Sequence, residues 1–210
     1  MKIGIIGAGN IGGTLGRAWA AKGHEVVFGV RDPRGPKVQE LVKATGGKAR
    51  AASPAEAAAH GEVVLLATPW AAAQAALRGA GDLTGKILVD ATNPLRPDLS
   101  GLTLGHTTSA AEEVARWAPG AKVVKAFNTI GAQHMANPRF GTQSASMLIC
   151  GDDAAAKKAV LALAEVLGFD PVDAGPLTQA RLLEPLAMLW ISLAYAYGHG
   201  PDIAFKLLRR

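Results

Sequence analysis

The densest chemical signal sits near the N-terminus. Gly7-Ala8-Gly9-Asn10-Ile11-Gly12 has the spacing G-x-G-x-x-G, directly after the apolar run Ile3 to Gly7 and at the opening of a helical pattern. There the first glycine permits a tight turn, the second lets backbone approach a pyrophosphate, and the third allows close helix–strand packing. Free N–H groups at the helix start would then meet the phosphates. The implied chemistry is dinucleotide binding. A second group follows the β-branched run Glu25 to Val30, where Arg31, Arg34 and Lys37 surround Asp32. A strand end without a carboxylate, followed by cations, suits a 2′-phosphate, because guanidinium–phosphate contacts are charge-assisted and directional. The competing reading is a solvated cationic loop with Asp32 on the ribose hydroxyls, as in NAD sites. The expectation is NADP(H) rather than NAD.

Three further apolar runs end in polar tips: Ala67-Thr68-Pro69-Trp70, Ala91-Thr92-Asn93-Pro94 and Ala126-Phe127-Asn128-Thr129-Ile130. Ligands of open parallel sheets lie at the carboxyl ends of strands. Ala67, Thr68, Pro69, Asn93, Asn128 and Ile130 therefore join the candidate site, although Pro69 and Pro94 could simply terminate strands.

These residues need a scaffold in which strands and helices alternate. Ile3–Gly7, Glu25–Val30, Glu62–Ala67, Lys86–Ala91 and Lys122–Phe127 read as buried strands. Helical patterns cover Asn10–Lys22, the stretch after Pro36, Ala55–His60 behind Ser53-Pro54, Trp70–Leu77, and the stretch from a Ser109–Glu112 capping box to Pro119. Such alternation implies an α/β fold, a Rossmann-type doubly wound parallel sheet. Beyond about residue 140, a strand (Ser146–Cys150), a helix (Asp152–Leu167), a short strand near Val172 and a C-terminal helical region form a small α/β appendage. The expected division is 1–140 for the NADP-binding domain and 141–210 for a small domain closing the acceptor crevice and dimerising.

Composition narrows the class. Lys plus Arg is 22 against 17 for Asp plus Glu, a net charge of +5, and 49% of the 210 residues are hydrophobic. A chain this apolar can bury a full core. The single cysteine, Cys150, offers neither a disulfide nor a zinc set and fits a reducing cytoplasm. Glycines interrupt the N-terminal apolar stretch, so it does not read as a signal peptide. Leu186–Tyr197 falls well short of the roughly 20 residues that span a bilayer. No membrane association is expected. The basic residues form no stripe with interleaved aromatics, which argues against nucleic acid.

With these residues assembled, the chain resembles the NADP oxidoreductases dependent on the deazaflavin coenzyme F-420, nearly end to end. The marks are the glycine loop, Gly-Val-Arg at 29–31, Thr-Pro-Trp at 68–70, and Val-Val-Lys-Ala-Phe-Asn-Thr-Ile at 123–130. Cys-Gly-Asp-Asp at 150–153, Asp-Ala-Gly-Pro-Leu at 173–177 and Arg-Leu-Leu-Glu-Pro-Leu at 181–186 extend it. The pattern is also similar to the oxidoreductase domain of six-transmembrane metalloreductases. The resemblance implies a homodimer that binds NADP(H) and passes hydride directly to a flat, small-molecule redox acceptor stacked on the nicotinamide. By the same resemblance, Gly9 to Gly12 meet pyrophosphate, and Val30, Arg31 and either Lys37 or Arg34 hold the 2′-phosphate. Backbone groups of Ile130 and Ala132 orient the carboxamide. No proton-abstracting catalytic residue is expected, since positioning supplies the acceleration. Deazaflavin-using members commonly have His at the position of Asn128 and Pro at that of Gly131; Asn128 is the form of the wider family. A flavin or a ferric or cupric ion is therefore a second acceptor class, and a non-catalytic NADP(H)-binding sensor is a rival of another kind.

The remaining candidates read mainly as structure. His24 and His60 fall at helix ends, His106 near a helix start and His199 in a turn, with no metal-ligand spacing among them. His134 could approach the acceptor or act locally. Trp19, Trp117 and Trp190 fit apolar helix faces, Trp70 fits either a core or the crevice, and Cys150 reads as a packed strand residue.

Overall fold

A computed structural model describes all 210 residues. The chain runs β1 (Lys2–Ile6), α1 (Asn10–Ala21), β2 (Glu25–Gly29), α2 (Pro36–Lys43), β3 (Ala49–Ala52), α3 (Pro54–His60) and β4 (Val63–Leu66). It continues through α4 (Trp70–Ala80), β5 (Ile87–Asp90), α5 (Ala110–Trp117) and β6 (Lys122–Lys125). A small hairpin, β7 (Arg139–Phe140) and β8 (Gln143–Ser144), leads into β9 (Ser146–Gly151), α6 (Ala154–Glu165), β10 (Asp170–Asp173) and α7 (Ala180–Ile191).

Eight strands form one sheet in the order β10-β9-β6-β5-β4-β1-β2-β3. All neighbours are parallel except β6 and β9, where Val124 faces Gly151 and Lys125 faces Cys150 in antiparallel register. This is the doubly wound α/β architecture expected from the alternation, and the C-terminal α/β appendage continues the same sheet through that pair. Side chains along each strand alternate between two apolar layers. Ile3, Ile5, Val26 and Phe28 point to the layer beneath α1 and α6. Ile6, Val27, Val64 and Leu66 point to the layer with Leu77, Val114 and Leu183. Burial on both faces explains why the strands read as continuous apolar runs.

Some boundaries differ from the sequence reading, each for a physical reason. β6 stops at Lys125 rather than Phe127, because Phe127 adopts φ +60° and turns the chain. Ala49–Ala52 is an edge strand, which its composition gave no reason to expect; pairing of Ala49 with Val26 fixes it. Ser109 caps α5 by accepting from Glu112 N at 3.2 Å, but Glu112 turns its carboxylate to the Ser109 hydroxyl and to Arg181. The C-terminal helical region starts at Ala180, passes Pro185, and ends in a π-helical turn, Ser192–Ala196. No helix is long and apolar enough to cross a membrane.

Candidate functional site

The glycine loop joins β1 to α1, and its geometry depends on missing side chains. Gly7 has φ +103°, and a Cβ there would lie 2.6 Å from Ala67 O at the end of β4. A Cβ on Gly12 would lie 2.0 Å from Gly7 O, so α1 can approach the loop only as glycine. Gly9 is different. It has ordinary extended dihedrals and nothing within 4 Å of a would-be Cβ, so its open side faces free space. No side chain caps the N-terminus of α1 and no acidic residue occupies its first turn. Free amides and a positive helix end are thus left for an anion.

A cleft of about 910 Å³ opens beside this loop. It brings together Gly7, Ala8, Val30, Arg31, Lys37, Thr68 and Pro69 of the sequence-derived set. Asp32 also lines it, but Asp32 Oδ1 accepts Arg34 N at 3.0 Å, closing the turn that delivers the chain to α2. Arg31, Arg34 and Lys37 are exposed, and none belongs to the ion pairs of the molecule. Arg34 is not among the cleft-lining residues; Arg31 and Lys37 are. Gly9, the N-cap of α1, and Asn10, Ile11 and Gly12 in its first turn lie outside the cleft lining, as does Ala67.

The remaining candidates gather beyond the ends of β5 and β6, outside the lining of that cleft. Asn93 Nδ2 donates to Asn128 O at 3.0 Å, and Asn128 Nδ2 donates to Asn93 Oδ1 at 3.0 Å and Leu183 O at 3.2 Å. Two buried polar oxygens in the site region, the Thr68 hydroxyl and Asn128 Oδ1, lack any partner. Such atoms are costly unless a ligand or water satisfies them. Ile130 is buried just beyond, and Ala132 opens a 3-10 turn, Ala132–His134. His134 takes the local role: its Nε2 lies 2.9 Å from Asp202 and its ring packs on Phe140 at 4.8 Å. Trp70 stacks on Trp117 at 5.0 Å, joining α4 to α5 rather than lining the cleft.

One buried charged group lies outside the sequence-derived set. Lys125 Nζ lies 2.8 Å from Asp90 Oδ2 and 2.8 Å from Glu184 Oε1, with all three side chains shielded from solvent. The available signal was a lysine inside an apolar strand, which requires a buried counter-charge. Glu184 also accepts from Ala110 N at 2.8 Å and Ala111 N at 3.2 Å, at the N-terminus of α5. Burial raises the Glu184 carboxyl above its ordinary range, against the pull of Lys125. Cys150 is buried, and burial pushes its thiol up to about 12, which leaves it a packed strand residue. No three His, Cys, Asp or Glu side chains converge so as to hold a metal ion.

Known proteins share this construction. A family model described as NADP oxidoreductase, coenzyme F-420-dependent, matches residues 2–94. The F-420-dependent NADP reductase of Methanothermobacter marburgensis is 34% identical over 207 residues, 92% of each chain. Metalloreductase STEAP3 of Rattus norvegicus is 36% identical over 191 residues, 90% of this chain but only 37% of its own length. The crystal structure of a candidate F-420-dependent NADP reductase from Arthrobacter sp. FB24 superposes with a TM-score of 0.91 at 39% identity, covering 100% of both chains. An imine reductase from Myxococcus stipitatus shares the fold, with a TM-score of 0.71 at 20% identity over 94% of this chain and 63% of that one. On the near-complete match to the reductases, the chain belongs to the NADP oxidoreductase family dependent on coenzyme F-420.

Proposed function

We propose that this protein binds NADP(H) and transfers hydride between its nicotinamide and a flat redox acceptor of the deazaflavin class, such as coenzyme F-420. The observation that carries this reading is one cleft joining the glycine loop to two cations, Arg31 and Lys37, with no acidic partners. Open space over Gly9 and the uncapped start of α1 fit a pyrophosphate. Gly7, Ala8, Gly9, Asn10, Ile11 and Gly12 would supply that subsite. Val30, Arg31 and Lys37 would hold the 2′-phosphate, with Asp32 kept in its turn and Arg34 adding charge nearby. Ala67, Thr68 and Pro69 would border the ribose, and Asn93, Asn128, Ile130 and Ala132 the carboxamide.

The bound dinucleotide supplies the hydride. The protein's part is to bind, to orient and to exclude water, and ring-to-ring transfer asks for no residue that removes a proton. Residues 1–140 would carry the dinucleotide, while 141–210 close over the acceptor. An apolar face of exposed Leu182, Leu189, Tyr195 and Tyr197 at the C-terminal helix would join two copies as a homodimer, in the cytoplasm.

A flavin or a ferric or cupric ion is the second reading, favoured by Asn128 and by the likeness to the metalloreductase. Stopped-flow oxidation of NADPH against coenzyme F-420, flavin mononucleotide, a quinone and a ferric chelate separates the two. Fastest turnover with the deazaflavin is expected. Faster turnover with flavin or ferric chelate would transfer the assignment, and tight NADPH binding without any turnover would contradict an enzyme.

A further inference from the structure

The buried cluster of Lys125, Asp90 and Glu184 lies beneath the strand ends, and none of its members belongs to the binding set above. Fold stability is a weak reason for it. Two carboxylates and an ammonium are taken out of water, and apolar residues of similar volume commonly serve a core equally well. What distinguishes the cluster is where each member bonds outward.

Asp90 Oδ1 accepts from Thr92 N at 2.9 Å and Thr92 Oγ1 at 2.7 Å, while Lys125 Nζ donates to Thr92 O at 2.5 Å. The turn leading into Asn93 is thereby fixed from both sides. Glu184 is the neighbour of Leu183, whose carbonyl accepts from Asn128. Adjacent residues of α7 thus grip Lys125 and Asn128 together. The negative charge left over is offset at the start of α5, where Ala110 and Ala111 donate to Glu184.

The two amides orient each other. Turning Asn128 over would set its oxygen against Asn93 Oδ1 and Leu183 O, and turning Asn93 over would set its oxygen against Asn128 O. Asn128 follows Phe127, a fully buried residue at φ +60°, held edge-on by Trp19 at 5.6 Å and Phe169 at 6.1 Å. A bulky residue in that region is an uncommon conformation that persists only where its surroundings enforce it. Its effect here is to carry Asn128 to Asn93. The result is a fixed amide pair with one unpartnered buried acceptor, Asn128 Oδ1.

We infer that Lys125, Asp90 and Glu184 are positioning residues for the nicotinamide end of the dinucleotide site, locking the Asn93–Asn128 pair through α7 and, with it, the course of the strand ends that would meet the carboxamide. This rests on the NADP(H) reading. It makes the C-terminal helix a determinant of nicotinamide recognition.

The test measures binding of three ligands to the wild-type protein and to Glu184→Gln, Asp90→Asn and Lys125→Met. The first ligand, 2′,5′-ADP, reaches only the adenosine end. The second is NADP+, and the third is its 3-acetylpyridine analogue, which lacks the amide N–H. The wild type is expected to prefer NADP+ over the analogue. Glu184→Gln and Asp90→Asn should keep 2′,5′-ADP binding but lose at least about fivefold for NADP+, the scale of one hydrogen bond. Their preference over the analogue should fall towards one. Equal loss for all three ligands, or unchanged discrimination, would overturn the inference. If Lys125→Met does not fold, the two amide variants, which conserve shape, still decide. Failure of the wild type to bind 2′,5′-ADP would instead overturn the NADP(H) reading beneath it.

Discussion

Gly9 and Gly12 divide two tasks within one loop. A methyl on Gly12 meets Gly7 O, whereas a methyl on Gly9 meets nothing. Gly12→Ala is therefore expected to destabilise the fold by about 1–3 kcal/mol, the cost of overpacking, seen as a lower Tm. Gly9→Ala should leave Tm unchanged and still weaken NADPH binding about tenfold or more, because its dihedrals suit alanine and only the ligand's space is filled. Arg31→Ala should weaken NADPH by about 1–3 kcal/mol, the scale of a charged hydrogen bond, and leave NADH unaffected in a fluorescence titration. Equal losses for the two cofactors would return the ribose to Asp32. The loop and the cations were legible because each depends on neighbours in sequence. Lys125, Asp90 and Glu184 were not, because a buried charge shows its partners only after strands and helices from distant segments meet.

At the scale of elements, alternation of apolar runs and helical patterns was sufficient for the sheet, since burial on both faces leaves a plain signature. It was insufficient for Ala49–Ala52, a strand made by its neighbour, and for the end of β6, set by the packing of Phe127. The Ser109–Glu112 pair was readable as a cap, but its second half was redirected by Arg181, which approaches from α7. That ion pair carries its own pH dependence. Arg181 first, and Ser109 with it, holds the Glu112 carboxyl below its ordinary value of 4.5. A lowered folded pKa stabilises above the unfolded value and is lost as pH falls through the folded one. Glu112→Gln should thus lower Tm at neutral pH, with the gap to wild type closing only under acid conditions below that value. A gap independent of pH would show the pair to be inert.

Over the whole molecule, the C-terminal segment ties the appendage to the sheet. Trp190 Nε1 donates to Ile203 O at 2.8 Å, Ser146 N donates to Phe205 O at 3.0 Å, and Leu207 N donates to Ser146 Oγ at 3.0 Å. Lys206 pairs with Asp170 on β10. Removal of residues 203–210 should lower Tm by about 6–12 °C, from three hydrogen bonds near 1 kcal/mol each in a domain of this size. On the proposed reading, the first half of the sheet would hold the nucleotide and the second half would present the acceptor to it. Of the net charge of +5, Arg31, Arg34 and Lys37 stand beside the proposed 2′-phosphate subsite, which gives part of that surplus a place. The most direct test of hydride transfer is a single turnover with NADPH deuterated at the nicotinamide C4 position and oxidised coenzyme F-420. Using each of the two C4 epimers in turn, direct transfer places the deuterium of one epimer on carbon in the reduced deazaflavin. Reduction without label in the acceptor from either epimer, or no reduction at all, would contradict it.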